Sequence, residues 1–520
     1  MKDQEGRVPA LARTVVSGAG LAASGLGLSQ GLNFLFYVVL ARLATPEDFG
    51  HFAAATVLTG LGTLLTETGM QAALIHRRDR LEEAASTATV ATVLGGICLS
   101  LVALALAPAI GWFFDSREVT EVAAAMSGWL VLTSACVVPE ALMQRRFSFR
   151  RRLIVEPCAV AVFGAFAVTA CASGMGVWGL VLGTYASAVT RLLLSWTLGR
   201  WRPRPGLVSF AMWRELAGYG RHVLASEFVR RSQEEVPTLL IGHSISSFAL
   251  GQYRYATRVA VQPLGVLINA GAYVLLPAFA RIAGEEARFR AAFLRGLRWM
   301  CVVAFPTSLV LFPLGLPLMV LCFGERWRDA GLALTALCGL AAGGALVSVS
   351  SEAFKALGRP QILTRMHLLS GALLVLFALA LLPRGLVGVA TAISLASLAT
   401  AAWAIHTVGR LARIPLRRML GEIWPPGVAA LAMATALYPL ERLVIEAHAR
   451  QTLPGLALLA CELVLAALVF LAALAVLAPE TMRELRGGVR AARQRVRARR
   501  AKDPRGLDPD ATPDPSVTSG

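Results

Sequence analysis

Six arginines stand inside long apolar stretches of this chain: Arg191, Arg221, Arg230, Arg231, Arg254 and Arg258. A guanidinium facing hydrocarbon is costly, so such a residue faces a cavity or an acidic partner. Its planar fork suits phosphate or carboxylate, each held by two hydrogen bonds. Arg254, Arg258, Gln262 and Asn269 recur at steps of four, four and seven, which places them on one helix face. That stretch offers no carboxylate, so its two arginines call for an anionic ligand. The preceding stretch is the most polar of all, with Arg221, His222, Glu227, Arg230, Arg231, Glu234 and Glu235. Glu227, Arg231, Glu234 and Glu235 share a face there. These charges either satisfy one another within a bundle or line the same cavity, where Glu227 and Glu234 are candidates for ion coupling.

The first half of the chain contributes less. Gln30 and Asn33 share a face of the first apolar stretch, and Arg191 lies in the sixth. Glu67, deep in the second, either carries a coupling proton or pairs with Arg42. Catalytic patterns are missing. Glu47 and Asp48 are adjacent in a tight turn after Pro46 and point apart, which suits a turn better than acid–base work. All eight cysteines fall in apolar stretches without metal-ligand spacing. We expect no catalytic residue, no metal and no cofactor beyond a coupling H+ or Na+.

Fourteen apolar stretches position these side chains: 15–41, 50–73, 85–113, 119–143, 153–174, 177–199, 215–242, 248–280, 297–323, 329–351, 361–383, 386–408, 420–440 and 453–478. Each is long enough to cross a bilayer, which takes ~20 residues. The chain is 56% apolar with a mean hydropathy of +0.62, and the stretches leave little room for a soluble domain. Of the 50 Lys and Arg, the odd-numbered connections hold only Arg42, Arg117, Arg326, Arg328, Arg384, Arg442 and Arg450. Apart from the six inside the stretches, the other 37 crowd the even-numbered connections and the termini, as the positive-inside rule requires if both termini are cytoplasmic. The formal charge of +18 is therefore a topology signal, and a nucleic-acid partner is not expected.

The stretches repeat. At a shift of 201 residues, LARLATPEDFGHFAAAT (40–56) aligns with LIGHSISSFALGQYRYAT (240–257), so that Gly50 meets Gly251 and Thr56 meets Thr257. Glu140-Ala141 and Glu352-Ala353 close corresponding stretches before basic loops, at a shift of 212. The expected fold is an all-α membrane protein of about 14 transmembrane helices, with two pseudo-symmetric six-helix lobes at 15–200 and 215–411. An even number of crossings per lobe makes this a parallel repeat, with the site between the lobes. Residues 420–478 form an accessory pair. A short N-terminus, 1–14, and a tail, 479–520, lie in the cytoplasm. Ten Lys and Arg between Arg483 and Arg505 make the start of the tail a basic helix, which either lies against anionic membrane lipids or serves only as a topology anchor. The Pro- and Asp-rich remainder reads as disordered.

LSQGLNFLFYVVLARLATPEDFGHFAAATVL, followed by ETGMQAALIHR, resembles the opening of Wzx-type polysaccharide and O-antigen flippases of the multidrug/oligosaccharidyl-lipid/polysaccharide exporter superfamily. EEVPTLLIGHSISSFALGQYRYATRVAVQPLGVLINAGAYVLLPAFARI resembles the start of their second half. The resemblance covers roughly 15–411. It implies an alternating-access transporter that moves an undecaprenyl-diphosphate-type lipid-linked oligosaccharide across the inner membrane, driven by an ion gradient, alongside polymerase and export machinery. Three rival readings remain: a lipid II flippase, a multidrug exporter of the same superfamily, and a polytopic glycan polymerase or ligase. The arginine stripe weighs against an exporter of cations, and the short outer connections weigh against an enzyme.

Overall fold

The computed structural model describes residues 29–77, 79–145, 149–447 and 452–487, with Arg490 and Gln494 beyond. These residues are helical almost throughout, and no strand occurs among them. In chain order the helices are α1 (29–43), α2 (Pro46–His76), α3 (Leu81–Phe113), α4 (Arg117–Ser127), α5 (Trp129–Arg145), α6 (Phe149–Ala172), α7 (Val177–Gly199), α8 (Phe210–Ser244) and α9 (Ser247–Ile282). Then follow α10 (Glu286–Leu309), α11 (Leu311–Phe323), α12 (Arg328–Ala336), α13 (Cys338–Ala356), α14 (Gln361–Leu381), α15 (Gly385–Leu411), α16 (Leu416–Leu440), α17 (Thr452–Leu477) and α18 (479–487).

This order is compatible with the expected fourteen crossings if α4–α5, α10–α11 and α12–α13 each make one. Among the described residues, seven stretches can cross a membrane on length and composition alone, or nine with the two bent pairs. The polar α8 and α9 are not among them. The bends are 53° between α10 and α11 and 45° between α12 and α13. Pro306 and Pro313 flank the first, where a missing N–H and a bulky ring break the helical ladder.

The chain turns between α1 and α2 and between α8 and α9 at the same end of the bundle, called here the Thr45 end. Thr45 and Asp48 form a capping box: the Asp48 amide donates to Thr45 Oγ1 at 3.2 Å and the Thr45 amide to Asp48 Oδ2 at 2.7 Å. Asp48 Oδ1 also accepts from the Val177 amide at 3.1 Å, so one carboxylate caps two helices. The PEDFG turn is thus a structural clamp, as its residue types predict. Ser246 caps α9 in the same manner through the Ala249 amide.

From these caps α2 and α9 cross in close contact. A Cβ built on Gly50 would lie 2.6 Å from the Ser247 carbonyl carbon, and one on Gly251 would lie 2.7 Å from the Pro46 carbonyl carbon. Pro46 and Ser247 are themselves related by the 201-residue shift, so each helix start presses its glycine onto the equivalent backbone of the other. Small residues permit such approach in membranes, where dispersion contacts and not hydrophobic exclusion drive helix association. A core cluster at this end joins both halves through Leu40, Phe49, Phe114, Leu250, Trp327 and Val389.

Candidate functional site

Below that crossing, α8 runs along α2, α3 and α14, whereas α9 runs along α2, α12 and α13. Their facing sides carry the charges singled out in the sequence. Arg230 pairs with Glu227, whose carboxylate accepts from its Nε at 3.0 Å, and also with Glu234. Arg231 reaches Glu234 at 3.3 Å and Glu235 at 3.8 Å, and its Nη2 would meet a Cβ on Gly60 of α2 at 3.5 Å. Gln233 donates to Ser370 of α14 at 2.6 Å.

One expectation is overturned. Arg254 is not without an acidic partner: its Nη2 lies 2.7 Å from Glu235 Oε2, across the α8–α9 seam. Glu235 is buried, and the arginine arrives from the neighbouring helix, which no spacing within α9 could reveal. Arg258, one turn further along, behaves differently. It is exposed, sits 3.5 Å over the ring centroid of Tyr37 on α1, and has no carboxylate partner among the described residues. A cation over an aromatic face is held by the ring quadrupole while its N–H groups stay available to an anion. Gln262 donates to Gln30 Oε1 at 3.0 Å, closing the seam between α9 and α1. Three buried polar atoms of α9, Arg254 Nε, Thr257 Oγ1 and Gln262 Oε1, have no hydrogen-bond partner among the described residues. Buried polar groups are costly unsatisfied, so these three atoms are where a polar ligand would gain most in hydrogen bonding.

Gln30, Arg230, Arg231, Arg254, Arg258, Gln262, Glu227 and Glu234 are therefore brought together, and Asn33 lies half-buried one turn along α1 from Gln30. The side chains of Arg221, Asn269 and Glu67 lie outside the described residues. Arg191 belongs elsewhere. It makes a two-pronged pair with Glu140, at 2.6 and 3.0 Å, and approaches Glu156 at 3.9 Å, which ties α7 to α5 and α6. The backbone position of Glu67 is far from Arg42. It lies twenty-one residues beyond Pro46, about 31 Å along α2 at 1.5 Å per residue. Arg42 instead donates to the Leu321 and Cys322 carbonyls at 2.9 and 3.3 Å.

Sequence reasoning missed Tyr37, although a signal was present: it continues the Gln30–Asn33 face at i+7. Tyr37 also begins an aromatic chain toward the Thr45 end. The Tyr255 hydroxyl donates to the Tyr37 carbonyl at 3.2 Å, and the Tyr255 ring lies 4.7 Å from Phe49 and 4.0 Å from Trp327. Trp327 donates to the Ala41 carbonyl at 2.9 Å. The charged seam is closed at this end by rings, backbone hydrogen bonds and the glycine crossing.

The sequence profile of the polysaccharide biosynthesis protein family matches residues 39–331. A profile described as lipid II flippase matches residues 236–479. A succinoglycan biosynthesis transport protein of Rhizobium meliloti is 24% identical over 321 residues, which cover 61% of this chain and 64% of that protein. A lipopolysaccharide biosynthesis protein of Escherichia coli is 26% identical over 333 residues, 63% of this chain and 67% of its own. The match thus spans about two thirds of these relatives. Among solved structures, a lipid II flippase in an inward closed conformation superposes with a TM-score of 0.72 at 13% identity, over 89% of this chain and 99% of that one. An inward-facing multidrug resistance transporter superposes with 0.57 at 16% identity, over 75% and 99%. Both likenesses establish the fold.

Proposed function

On the premise that this chain belongs to the polysaccharide biosynthesis protein family, whose profile matches more than half of it, we propose that it is a flippase for polyprenyl-diphosphate-linked oligosaccharide. The α8–α9 seam takes the diphosphate, and the glycan follows it across the cytoplasmic membrane by alternating access. The observation that carries this reading is Arg258, an intramembrane guanidinium without a carboxylate partner among the described residues, beside two unpartnered donors on the same helix, Arg254 Nε and Thr257 Oγ1. A diphosphate supplies acceptors for all the free N–H groups. The seam holds Arg230, Arg231, Arg254 and Arg258 against Glu227, Glu234 and Glu235, so its described charges favour an anion by one unit.

The paired residues supply the coupling in this reading. Glu234 and Glu235 compete with the cargo phosphates for Arg231 and Arg254. Exchange of a proton at either carboxylate decides whether that carboxylate or the cargo phosphate holds the arginine, and this competition is where a gradient acts on the cargo. Glu234 and Glu235, together with Glu227 and Glu67, are the proposed carriers of H+ or Na+. The Thr45 end faces outward, both termini are cytoplasmic, and the closed crossing corresponds to the state that loads from inside. The cargo implies enzymes that build the glycan on its lipid before export and polymerise it afterwards.

The test uses full-length protein in liposomes containing a fluorescent polyprenyl-diphosphate oligosaccharide, with transfer between leaflets scored with and without a proton or sodium gradient. Transfer that Arg258→Ala abolishes supports the reading, whereas undiminished transfer in that variant removes the seam from the cargo path. Lipid II is the second reading, favoured by the profile match over 236–479. Lipid II in the same liposomes, transferred in preference to other glycan heads, would establish it.

A further inference from the structure

The tail helix α18 is docked, not loose. Thr481 and Met482 are buried against the core of the second half, and Leu485 packs beside them. Glu484 lies 3.6 Å from Arg295 and 4.0 Å from Arg298 of α10, and Arg298 is itself paired with Glu422 of α16 at 2.5 Å. Glu484 is engaged by these arginines of α10, Glu480 is exposed without lining the cavity described below, and Arg486 and Arg490 are exposed as well. The two guanidinium groups line one cavity.

This cavity has a volume of about 550 Å³. Leu468, Leu471, Ala472 and Ala475 of α17 form its apolar wall, and Arg486 and Arg490 supply its charged lining. Leu468 is 60% exposed and Leu471 37%, so the slot opens sideways from the bundle. Helix α17 packs on α16 and α11, well apart from the α8–α9 seam. The chain leaves the apolar α17 at Leu477, so the arginines lie at headgroup depth while the wall lies at acyl-chain depth.

We propose that this slot is a binding site for one anionic diacyl phospholipid, its phosphate between Arg486 and Arg490 and an acyl chain along Leu468–Ala475. An apolar trough that ends in two cations and no acid matches such a molecule in both shape and charge. A zwitterionic lipid fits the trough but brings its own cation to the arginines. The lipid fastens α18 on its outer side, as the Glu484 pairs fasten it on its inner side. This inference is independent of the cargo reading.

Photoreactive phosphatidylglycerol, with a diazirine on one acyl chain, tests it on the full-length protein in nanodiscs, the labelled peptides being mapped by mass spectrometry. We expect label concentrated on 468–475, about tenfold lower in Arg486→Ala/Arg490→Ala and about as low with the matching phosphatidylcholine probe. Arg483→Ala, which leaves both lining arginines in place, should label as the unaltered protein does. Leu471→Trp fills the slot with both charges intact and should also remove the label, which keeps the test decisive if the arginine variant folds poorly. Label that is indifferent to headgroup and to both variants would mean bulk lipid only and would overturn the site. So would displacement of the label by polyprenyl diphosphate but not by unlabelled phosphatidylglycerol.

Discussion

Replacing Gly50 with Ala places a methyl group where the backbone of Ser247 stands, with the new carbon 2.6 Å from the Ser247 carbonyl carbon. Carbon atoms rest ~3.5–4.0 Å apart, so the two helices must separate by about 1 Å. The obstacle is backbone at a helix start and cannot rotate away. Ala is favoured over Gly in a helix by about 1 kcal/mol, but that gain applies equally to the crossed and the parted state and cancels between them. What remains is the overpacking cost of about 1–3 kcal/mol, borne by the crossed state alone. The equilibrium should therefore shift about 5- to 150-fold toward the parted state. Gly251→Ala, which meets Pro46 in the reciprocal position, should do the same. The double variant should add little to either, because parting the helices once relieves both clashes. The assay is labelling by a membrane-impermeant maleimide of Ala256→Cys, a fully buried position behind the crossing, in a background without native cysteines. Faster labelling in both single variants, with sub-additive acceleration in the double, is expected. A variant that loses thermal stability but labels at the original rate would show that the crossing is a fixed brace, and the gating argument would fail.

Four further outcomes concern the charges inside the membrane. Arg258→Ala should reduce cargo transfer at least tenfold with normal membrane insertion, and Arg258→Lys should recover part of it, since a point charge keeps the attraction but loses the fork; leaflet-transfer rates check this. Arg254→Ala leaves the buried Glu235 without its cross-helix partner and should destabilise the protein by about 3 kcal/mol, a loss that adding Glu235→Gln should largely reverse in a thermal melt without restoring transfer. Arg191→Ala should lower the melting temperature while leaving the apparent affinity for cargo unchanged, because its pair with Glu140 braces α7 away from the seam. Glu67→Gln should weaken the dependence of transfer on the ion gradient, and an unchanged gradient response would remove that residue from coupling.

Much of this architecture is written along the chain, because apolar length and the placement of arginines are one-dimensional signals. The repeat is the clearest case. Gly50 and Gly251 align in sequence, and the same two residues press on each other's helix starts in the structure. The polar faces of α8 and α9 were equally legible, since helical spacing alone puts Arg254, Arg258 and Gln262 in a row. Partners across helices were not. Whether Arg254 meets Glu235, or Arg191 meets Glu140 fifty-one residues away, depends on how two helices are rotated and at what depth they pass. A periodic pattern carries neither quantity. Tyr37 escaped for a related reason: an aromatic residue in an apolar run carries no charge signal, and only the arrival of Arg258 over its ring gives it a role.

The two bends in the second half give bilayer thickness a handle on the molecule. The apolar part of α10 and α11, 297–323, has a contour of about 40 Å, against a hydrocarbon core of ~30 Å. The 53° bend at Val310 shortens the distance this contour spans. In a thicker membrane the cheapest response is to straighten that bend, which raises the far end of α11. That end carries the Leu321 and Cys322 carbonyls held by Arg42, and just beyond it stands Trp327, held by Ala41. Stretching the second half thus pulls on the first at its tightest point. Hydrocarbon thickness should set how readily the Thr45 end opens, so acyl-chain length becomes a control on turnover even when the cargo and the gradient are held constant.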